Sequence, residues 1–287
     1  MDVFALQDKG MALRPPALPA ISLPVICLGV FALAAALRPA AADEVVRMEF
    51  EGFGPAGLHV LTTHTVLAES PAWYVIQGDL STAGVGAWFD SVANRSMTEG
   101  REVAGAPQPT RFESETDRNG VVQHLHVDYR PDGAPSGSAT PPPKDPVTPV
   151  DFTQLAGTID SLTAYLLLER QVAKGGGCAL KVPVFDGRHR YDLAFSDAGR
   201  PVLAPAEGQN FTGETRACRM ARQEIGGFYV DRNHEEGARS GIIWYATQLM
   251  PGDLAVPVRM AMQTEMGEVA LFLSKLRGRG VDLSLMD

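Results

Sequence analysis

Short runs of alternating apolar and polar residues, separated by glycine and proline, make up most of the chain between residues 45 and 129. Alternation with a period of two predicts β-strands, whose successive side chains point to opposite faces of a sheet. In one such run, Leu125 and Val127 fall on one face, whereas His124 and His126 fall on the other. Strands with one apolar and one polar face are typical of antiparallel sheets. The strands predicted in this region are 45–50, 58–68, 73–80 and 121–130.

The same alternation resumes after residue 177. Segments 180–185 and 188–195 flank Asp186 and Gly187, a pair that two-residue hairpins favour because both positions take a positive φ. Turn glycines separate the remaining runs. The further strands predicted in this half are 215–223, 242–248, 256–264 and 268–276.

One segment has the period of a helix instead. Leu162, Tyr165, Leu166 and Glu169 fall at helical spacing, and a lysine followed by three glycines ends the pattern after residue 173. Asp160 or Thr158 is a suitable N-cap. The predicted fold class is therefore mainly β, a curved antiparallel sheet or a partly open β-barrel with one central α-helix. Neither a strand-helix-strand repeat nor a glycine-rich phosphate loop occurs in the sequence, which disfavours a dinucleotide-binding fold.

The N-terminal segment reads as an export signal. Residues 17–37 carry no charge and follow Lys9 and Arg14, and the run Ala40 to Ala42 provides a cleavage site of the A-x-A type. We therefore predict a signal peptide over 1–42, with either Met1 or Met11 as the start, and periplasmic localisation. Retention of the segment as a membrane anchor is the alternative, because its length approaches the ~20 residues that span a bilayer. After cleavage no membrane span is expected.

The rest, 43–287, is predicted to form a single β-rich domain. Its segment 131–149 is rich in proline, glycine and serine, and is predicted to be an exposed loop because it offers little apolar surface to bury. Cleavage would leave only Cys178 and Cys218, an even number in an oxidising compartment, so we predict a disulfide between them. A metal or redox pair is less favoured, because the sequence has no C-x-x-C motif.

Composition excludes several classes of protein. The 287 residues are 45% hydrophobic and carry a formal charge of -9, which disfavours both a disordered chain and a nucleic-acid-binding protein. His124, His126 and Asp128 share one strand face and could bind a metal, but polar alternation on an exposed face is the favoured explanation, and no metal or other cofactor is predicted. No nucleophile elbow, H-E-x-x-H motif or zinc-type cysteine cluster occurs, so we predict that the protein is not an enzyme.

Several segments resemble a family of exported bacterial proteins catalogued as domain of unknown function 3108. The resemblance rests on Cys178, Cys218 and three segments, which are 157–162 (GTIDSL), 184–193 (VFDGRHRYDL) and 254–259 (LAVPVR). It implies export to the periplasm and a β-rich body with one helix, and it implies no activity. The pattern is also similar to that of curved-sheet envelope proteins that carry lipoproteins or sense lipids, an analogy at the level of fold alone.

We expect a hydrophobic or amphipathic envelope ligand, such as a lipid, an acyl chain or a lipidated partner protein, to lie between the sheet and the helix. Tyr165 on the helix and Trp88, beside flexible glycines, are the candidate apolar contacts. Arg188 or Arg190 could orient an anionic head, although strand pairing favours a structural role for both in cross-strand ion pairs. A carrier of this kind is expected to have a cavity larger than ~300 Å³. The alternative is an envelope scaffold that binds protein partners and has no small ligand.

Overall fold

The computed structural model describes residues 44–130, 135–231, 238–264 and 267–286, so the predicted signal peptide lies outside the described residues. Strands dominate the described part, together with the helices α1 (Gly86–Phe89) and α2 (Ser161–Ala173) and two single turns of 3-10 helix. The strands of the first half are β1 Glu44–Phe53, β2 His59–Glu69, β3 Trp73–Thr82, β4 Val92–Val103, β5 Ala106–Arg118, β6 Val121–Asp128 and β7 Ser136–Thr140. Those of the second half are β8 Leu180–Phe185, β9 Arg190–Asp197, β10 Val202–Leu203, β11 Gly213–Glu214, β12 Arg216–Gly226, β13 Ser240–Ala246, β14 Val256–Thr264, β15 Gly267–Gly278 and β16 Val281–Ser284.

Fourteen of these strands form one curved antiparallel sheet that is not closed. From edge to edge the order is β7-β6-β5-β4-β3-β2-β1-β15-β14-β13-β12-β9-β8, and β16 pairs with the end of β15. Each half is thus a meander in which most neighbours in sequence are neighbours in space. The halves meet where β1 pairs with β15, and α2 lies on the connection between the two edge strands. The predicted fold class, mainly β with a curved antiparallel sheet, is confirmed.

Helix α2 begins at a buried cap. The carboxylate of Asp160, which has no exposed surface, accepts a hydrogen bond from the backbone nitrogen of Thr163 at 2.9 Å. Of the two predicted caps, Asp160 is therefore the one used. The helix then divides the core, because Leu166 packs in one apolar cluster and Leu168 packs in another. A sheet and a helix that bury apolar surface on each other are the usual way to build such a core.

Three local features differ from the sequence expectations. The hairpin at Asp186 and Gly187 has a loop of four residues instead of two, because Phe185 pairs with Arg190. Of the described residues in this loop, only Gly187 has a positive φ. Arg188 therefore lies in the loop rather than in the strand. The proline-rich segment contributes strand β7 to the sheet edge instead of being loop throughout its described part. The short helix α1, which carries Trp88, was not predicted.

The cysteine prediction is confirmed. Cys178 and Cys218 form a disulfide with their Cα atoms 5.4 Å apart, and both residues are fully buried. The bond joins the segment that follows α2 to strand β12. It therefore fixes the C-terminal end of the helix connection against the second half of the sheet. Among the described residues, no helix combines the length and the apolar character needed to cross a membrane.

Candidate ligand-binding cavity

A cavity of about 260 Å³ lies between α2 and the sheet. Its walls come from both meanders, because β1, β2 and β3 contribute on one side and β13, β14 and β15 on the other. Most of the lining is apolar. Side chains that line it include Met48, Phe50, Leu67, Ile76, Leu166 and Leu271. Apolar concave sites with a few polar groups are the usual form of small-ligand pockets.

One larger concavity on the surface has a lining of a different character. A groove of about 690 Å³ on β3 to β6 is lined mainly by charged and polar side chains, among them Asp79, Arg95 and Glu113. Such a groove offers little apolar area that a ligand could remove from water. We therefore take the smaller, apolar cavity as the candidate site, because burial of apolar surface is the dominant favourable term in binding of this kind.

Three polar side chains line one part of this apolar cavity. Tyr165 and Glu169 are one turn apart on α2, and Tyr245 comes from β13. Burial raises the pKa of Glu169 to about 8, and the carboxylate of Glu69 acts in the same direction, against the guanidinium of Arg170. Burial likewise raises the pKa of Tyr165 to about 12 and that of Tyr245 well above its ordinary value. The charged form of each group is therefore disfavoured in the empty cavity.

No described residue forms a hydrogen bond or an ion pair with these three side-chain groups. Of the two threonines in the lining, Thr63 is hydrogen-bonded, since its hydroxyl donates to the carbonyl of Asp79 at 2.8 Å. Tyr165 and Glu169 are only partly buried, and no polar atom of the three side chains is among the fully buried atoms of the described residues that lack a partner. These groups are therefore open to a polar group of a ligand.

Hydrogen bonds hold the N-terminal end of α2 against the sheet. The hydroxyl of Thr98 donates to Asp160 Oδ1 at 2.7 Å, and the hydroxyl of Thr163 donates to Asp160 Oδ2 at 2.7 Å. The hydroxyls of Thr163 and Tyr74 share a further hydrogen bond of 2.8 Å. Burial raises the pKa of Asp160, while these donors oppose the rise. Strands β3 and β4 thereby fix the start of the helix that covers the cavity.

A buried ionic network holds the other end of α2. Arg170 donates from Nη2 to Glu69 Oε2 at 2.6 Å and from Nη1 to Glu102 Oε1 at 2.7 Å. Arg279, which follows β15, bonds to the second oxygen of Glu69. Both arginine side chains are less than a tenth exposed. This network could not be predicted from the sequence, because its members come from distant parts of the chain and each lies in an ordinary charged context.

The structure places the four predicted ligand contacts in different settings. Tyr165 lines the cavity and packs edge-on against Phe195, as a contact residue should. Trp88 is 83% exposed on α1 and is absent from the cavity lining. Trp88 is therefore not an apolar contact of this cavity.

Arg188 and Arg190 are also absent from the lining. Arg188 donates from Nε to the carbonyl of Gly227 at 3.1 Å and stacks over the ring of Tyr229. Arg190 donates to the carbonyl of Gln154 at 3.1 Å and to Asp192 Oδ1, two residues along its own strand, at 2.7 Å. Both are buried and brace loops, so the role of orienting a ligand head does not fit their positions. The ion pair of Arg190 is thus with Asp192 on its own strand.

The histidine strand face pairs with carboxylates. His126 lies 3.1 Å from Asp128 and 3.6 Å from Glu113, and His124 lies 3.3 Å from Glu115. All of these side chains are more than a third exposed. Over the described ranges, no group of three His, Cys, Asp or Glu side chains has an arrangement that could hold a metal ion. Polar alternation on an exposed sheet face accounts for this cluster.

A family model described as "Protein of unknown function (DUF3108)" matches residues 47–274. The chain belongs to this family. The matched range runs from β1 to β15 and includes α2, the disulfide and every residue that lines the cavity. No curated protein matches the sequence.

One solved structure with a similar fold is a β-barrel-like protein of domain of unknown function 1849 from Brucella abortus. The two proteins are 11% identical with a TM-score of 0.47, and the match covers 82% of this chain and 97% of that one. At this level of identity the likeness concerns the fold alone and carries no argument about function.

Proposed function

We propose that this member of the DUF3108 family is an exported periplasmic protein that binds one hydrophobic or amphipathic envelope ligand in the cavity beneath α2. The observation that carries the proposal is the apolar lining, to which both halves of the sheet and the helix contribute. Because α2 is held at both ends by buried polar contacts, the cavity is preformed and little ordering is needed on binding. The proposal involves binding alone and no catalytic step.

The size of the cavity limits the ligand. Its volume of about 260 Å³ falls just below the ~300 Å³ that we expected of a carrier. A lipid with several acyl chains does not fit such a space, whereas a single short alkyl or acyl chain does. We therefore favour a ligand with one chain, or one chain of a larger partner inserted into the cavity.

Two sequence features support export. The uncharged segment 17–37 follows basic residues and precedes an A-x-A run, the layout of a secretory signal. The disulfide between Cys178 and Cys218 is of the kind that forms and persists in oxidising compartments. Both features support a periplasmic location.

The test combines native mass spectrometry of protein purified from the periplasm with titration of 1-octanol, a neutral single-chain probe, by calorimetry. Thr65→Phe adds volume to the cavity at a side chain for which the described residues provide no hydrogen bond. His64→Phe, at the exposed neighbouring position of β2, is the matched control. We expect wild type and control to bind the probe and Thr65→Phe to lose it. If neither wild type nor control binds any apolar molecule, the carrier proposal is wrong.

A specific observation also supports the envelope scaffold as a second candidate. Trp88 and Phe152 are 83% and 82% exposed, and exposed aromatic side chains are enriched at protein interfaces. The test is a photo-crosslinking amino acid at position 88 in intact cells. One reproducible crosslinked protein favours the scaffold, and diffuse labelling counts against it.

A further inference from the structure

The polar part of the cavity contains one carboxyl group and two phenol groups. Glu169 and Tyr165 approach it from α2 and Tyr245 approaches it from β13, and all three line the same space of about 260 Å³. The rest of the lining is apolar apart from two threonines. An amphiphile in this cavity would therefore have its polar head next to Glu169.

Glu169 has no counter-ion within the described protein. The cation nearest in sequence, Arg170, directs its guanidinium away to Glu69 at 2.6 Å and to Glu102 at 2.7 Å. These carboxylates take both terminal nitrogens of Arg170, so its charge is already paired. A carboxylate that is partly removed from water and has no counter-ion is costly, and a cation brought by a ligand would lower that cost.

The tyrosines favour the same kind of head. The negative faces of aromatic rings attract alkylammonium groups, and a carboxylate beside such rings adds a direct ion pair. An anionic head would instead lie against a carboxyl group with no described cation in the lining. From this geometry we infer that the cavity selects a cationic amphiphile, with one alkyl chain against the apolar walls and an ammonium group at Glu169. This inference rests on the proposed binding function.

Binding of a cation also changes the protonation of Glu169. The charged and titratable groups that act on it are Tyr165 and Arg170 from α2, Tyr245 from β13 and Glu69 from β2, while Arg222 of β12 acts on Tyr165. Because burial raises the pKa of Glu169 to about 8, this carboxyl is mostly protonated at pH 7 in the empty cavity. An ammonium head stabilises the carboxylate, so binding of a permanent cation at pH 7 releases the carboxyl proton to the buffer.

The experiment compares three probes that share one chain and differ in the charge of the head, namely octyltrimethylammonium, 1-octanol and octanoate. Each is titrated calorimetrically into wild type, Glu169→Gln and Glu214→Gln, the last being an exposed glutamate on β11 as control. We expect wild type and control to prefer the ammonium over the alcohol by about tenfold or more, because the ion pair with Glu169 and cation–π contacts with the tyrosine rings both favour a charged head. We expect Glu169→Gln to lose this preference and still to bind 1-octanol.

A second measurement uses wild type alone, so the test does not depend on the folding of a variant. Titration of octyltrimethylammonium at pH 7 in two buffers of different ionisation enthalpy should show close to one proton released per ligand. Preference for octanoate, absence of proton release, or an unchanged preference in Glu169→Gln would overturn the inference and leave the carrier function intact. If wild type binds none of the three probes, the proposed function itself fails, and the inference fails with it.

Discussion

The aromatic ring of Tyr74 on β3 occupies the space above Gly100, its cross-strand partner on β4. A Cβ atom at position 100 would overlap this ring. The fully buried tyrosine continues from there to α2, where its hydroxyl shares a 2.8 Å hydrogen bond with Thr163. A missing side chain in one strand thus determines where the helix that covers the cavity can sit.

Replacement of Gly100 tests this relationship. We expect Gly100→Ala to lower the free energy of unfolding by about 1 to 3 kcal/mol, because the ring must move and well-packed cores resist added atoms. Gly78→Ala on β3 is the matched control, since a Cβ there meets only Leu162 at an ordinary distance of 3.7 Å. Urea denaturation of the purified variants measures both effects. Equal stability of the two variants would contradict the packing argument.

The cap of α2 gives a second prediction. Asp160→Ala removes the acceptor for Thr98, for the Thr163 hydroxyl and for the Thr163 backbone nitrogen. We expect the free energy of unfolding in urea to fall by about 2 to 4 kcal/mol, because a cap is lost and buried hydroxyls are left without partners. Asp151 caps an exposed turn with two similar bonds to Thr153, so Asp151→Ala should lower the free energy of unfolding much less. A loss as large at Asp151 as at Asp160 would mean that burial of the cap is unimportant.

Glu169 makes stability depend on pH. Its pKa rises from 4.5 to about 8 on folding because of burial, so the folded state holds the proton more tightly than the unfolded state does. Stability relative to Glu169→Gln should therefore be unaffected below the unfolded pKa. It should fall as pH rises from about 4.5 to about 8, and then stay constant.

Across that pH range the free energy of unfolding should fall by about 2 to 4 kcal/mol in total. This loss is smaller than the whole pKa shift would give, because the carboxyl group is partly accessible through the cavity. Thermal unfolding of wild type, Glu169→Gln and Glu214→Gln between pH 4 and pH 9 measures it. A difference between wild type and Glu169→Gln that does not change with pH would refute the assignment.

Removal of the disulfide should destabilise the fold. The bond closes a loop with a sequence separation of 40, for which the chain-entropy model gives about 3 to 4 kcal/mol. The double variant Cys178→Ala and Cys218→Ala should show this loss, and a reducing agent should affect wild type but not the variant. Alkylation of both cysteines in unreduced, denatured periplasmic protein would show that the bond does not form in the cell.

The ionic network at the end of α2 should be sensitive to loss of its cation. Arg170→Ala leaves Glu69 and Glu102 buried without that partner, and breaking buried pairs in this way costs about 3 to 5 kcal/mol. Arg95 forms an exposed pair with Asp79 at 2.8 Å, and Arg95→Ala should have no measurable effect on stability. Urea denaturation measures the free energy of unfolding of both variants. Similar losses for the two would show that the buried network does not stabilise the fold more than an exposed pair does.

Apolar alternation was enough to predict the strands whose inward positions are hydrophobic. Strands β4 and β5 were missed because several of their inward positions hold polar or proline residues, including buried Thr98, Ser114 and Pro107. Thr98 faces inward to donate to Asp160, a contact between residues far apart in sequence. Where a buried polar residue serves a distant partner, the local pattern cannot predict the strand.

The candidate site was predictable only in part. Helical spacing identified Tyr165 and Glu169 on one face of α2, but Tyr245 joins them only through the fold. For Arg188 and Arg190 the sequence predicted a ligand head or cross-strand carboxylates as partners, whereas the structure also provides the backbone carbonyl groups of Gly227 and Gln154. Backbone acceptors leave no signature in side-chain chemistry, so burial of these arginines could not be deduced from the sequence.

The pairing of β1 with β15 has a consequence for how the fold is reached. These neighbours form the middle of the sheet, yet contacts between them, such as Ser274 with Glu49, join residues 225 positions apart. Each meander can assemble from local hairpins, whereas the seam between them must wait until nearly all of the intervening chain is available. Long-range pairing of this kind slows folding. The cavity, which has walls on both sides of the seam, is therefore among the last parts of the molecule to form, and ligand binding can report completion of the fold.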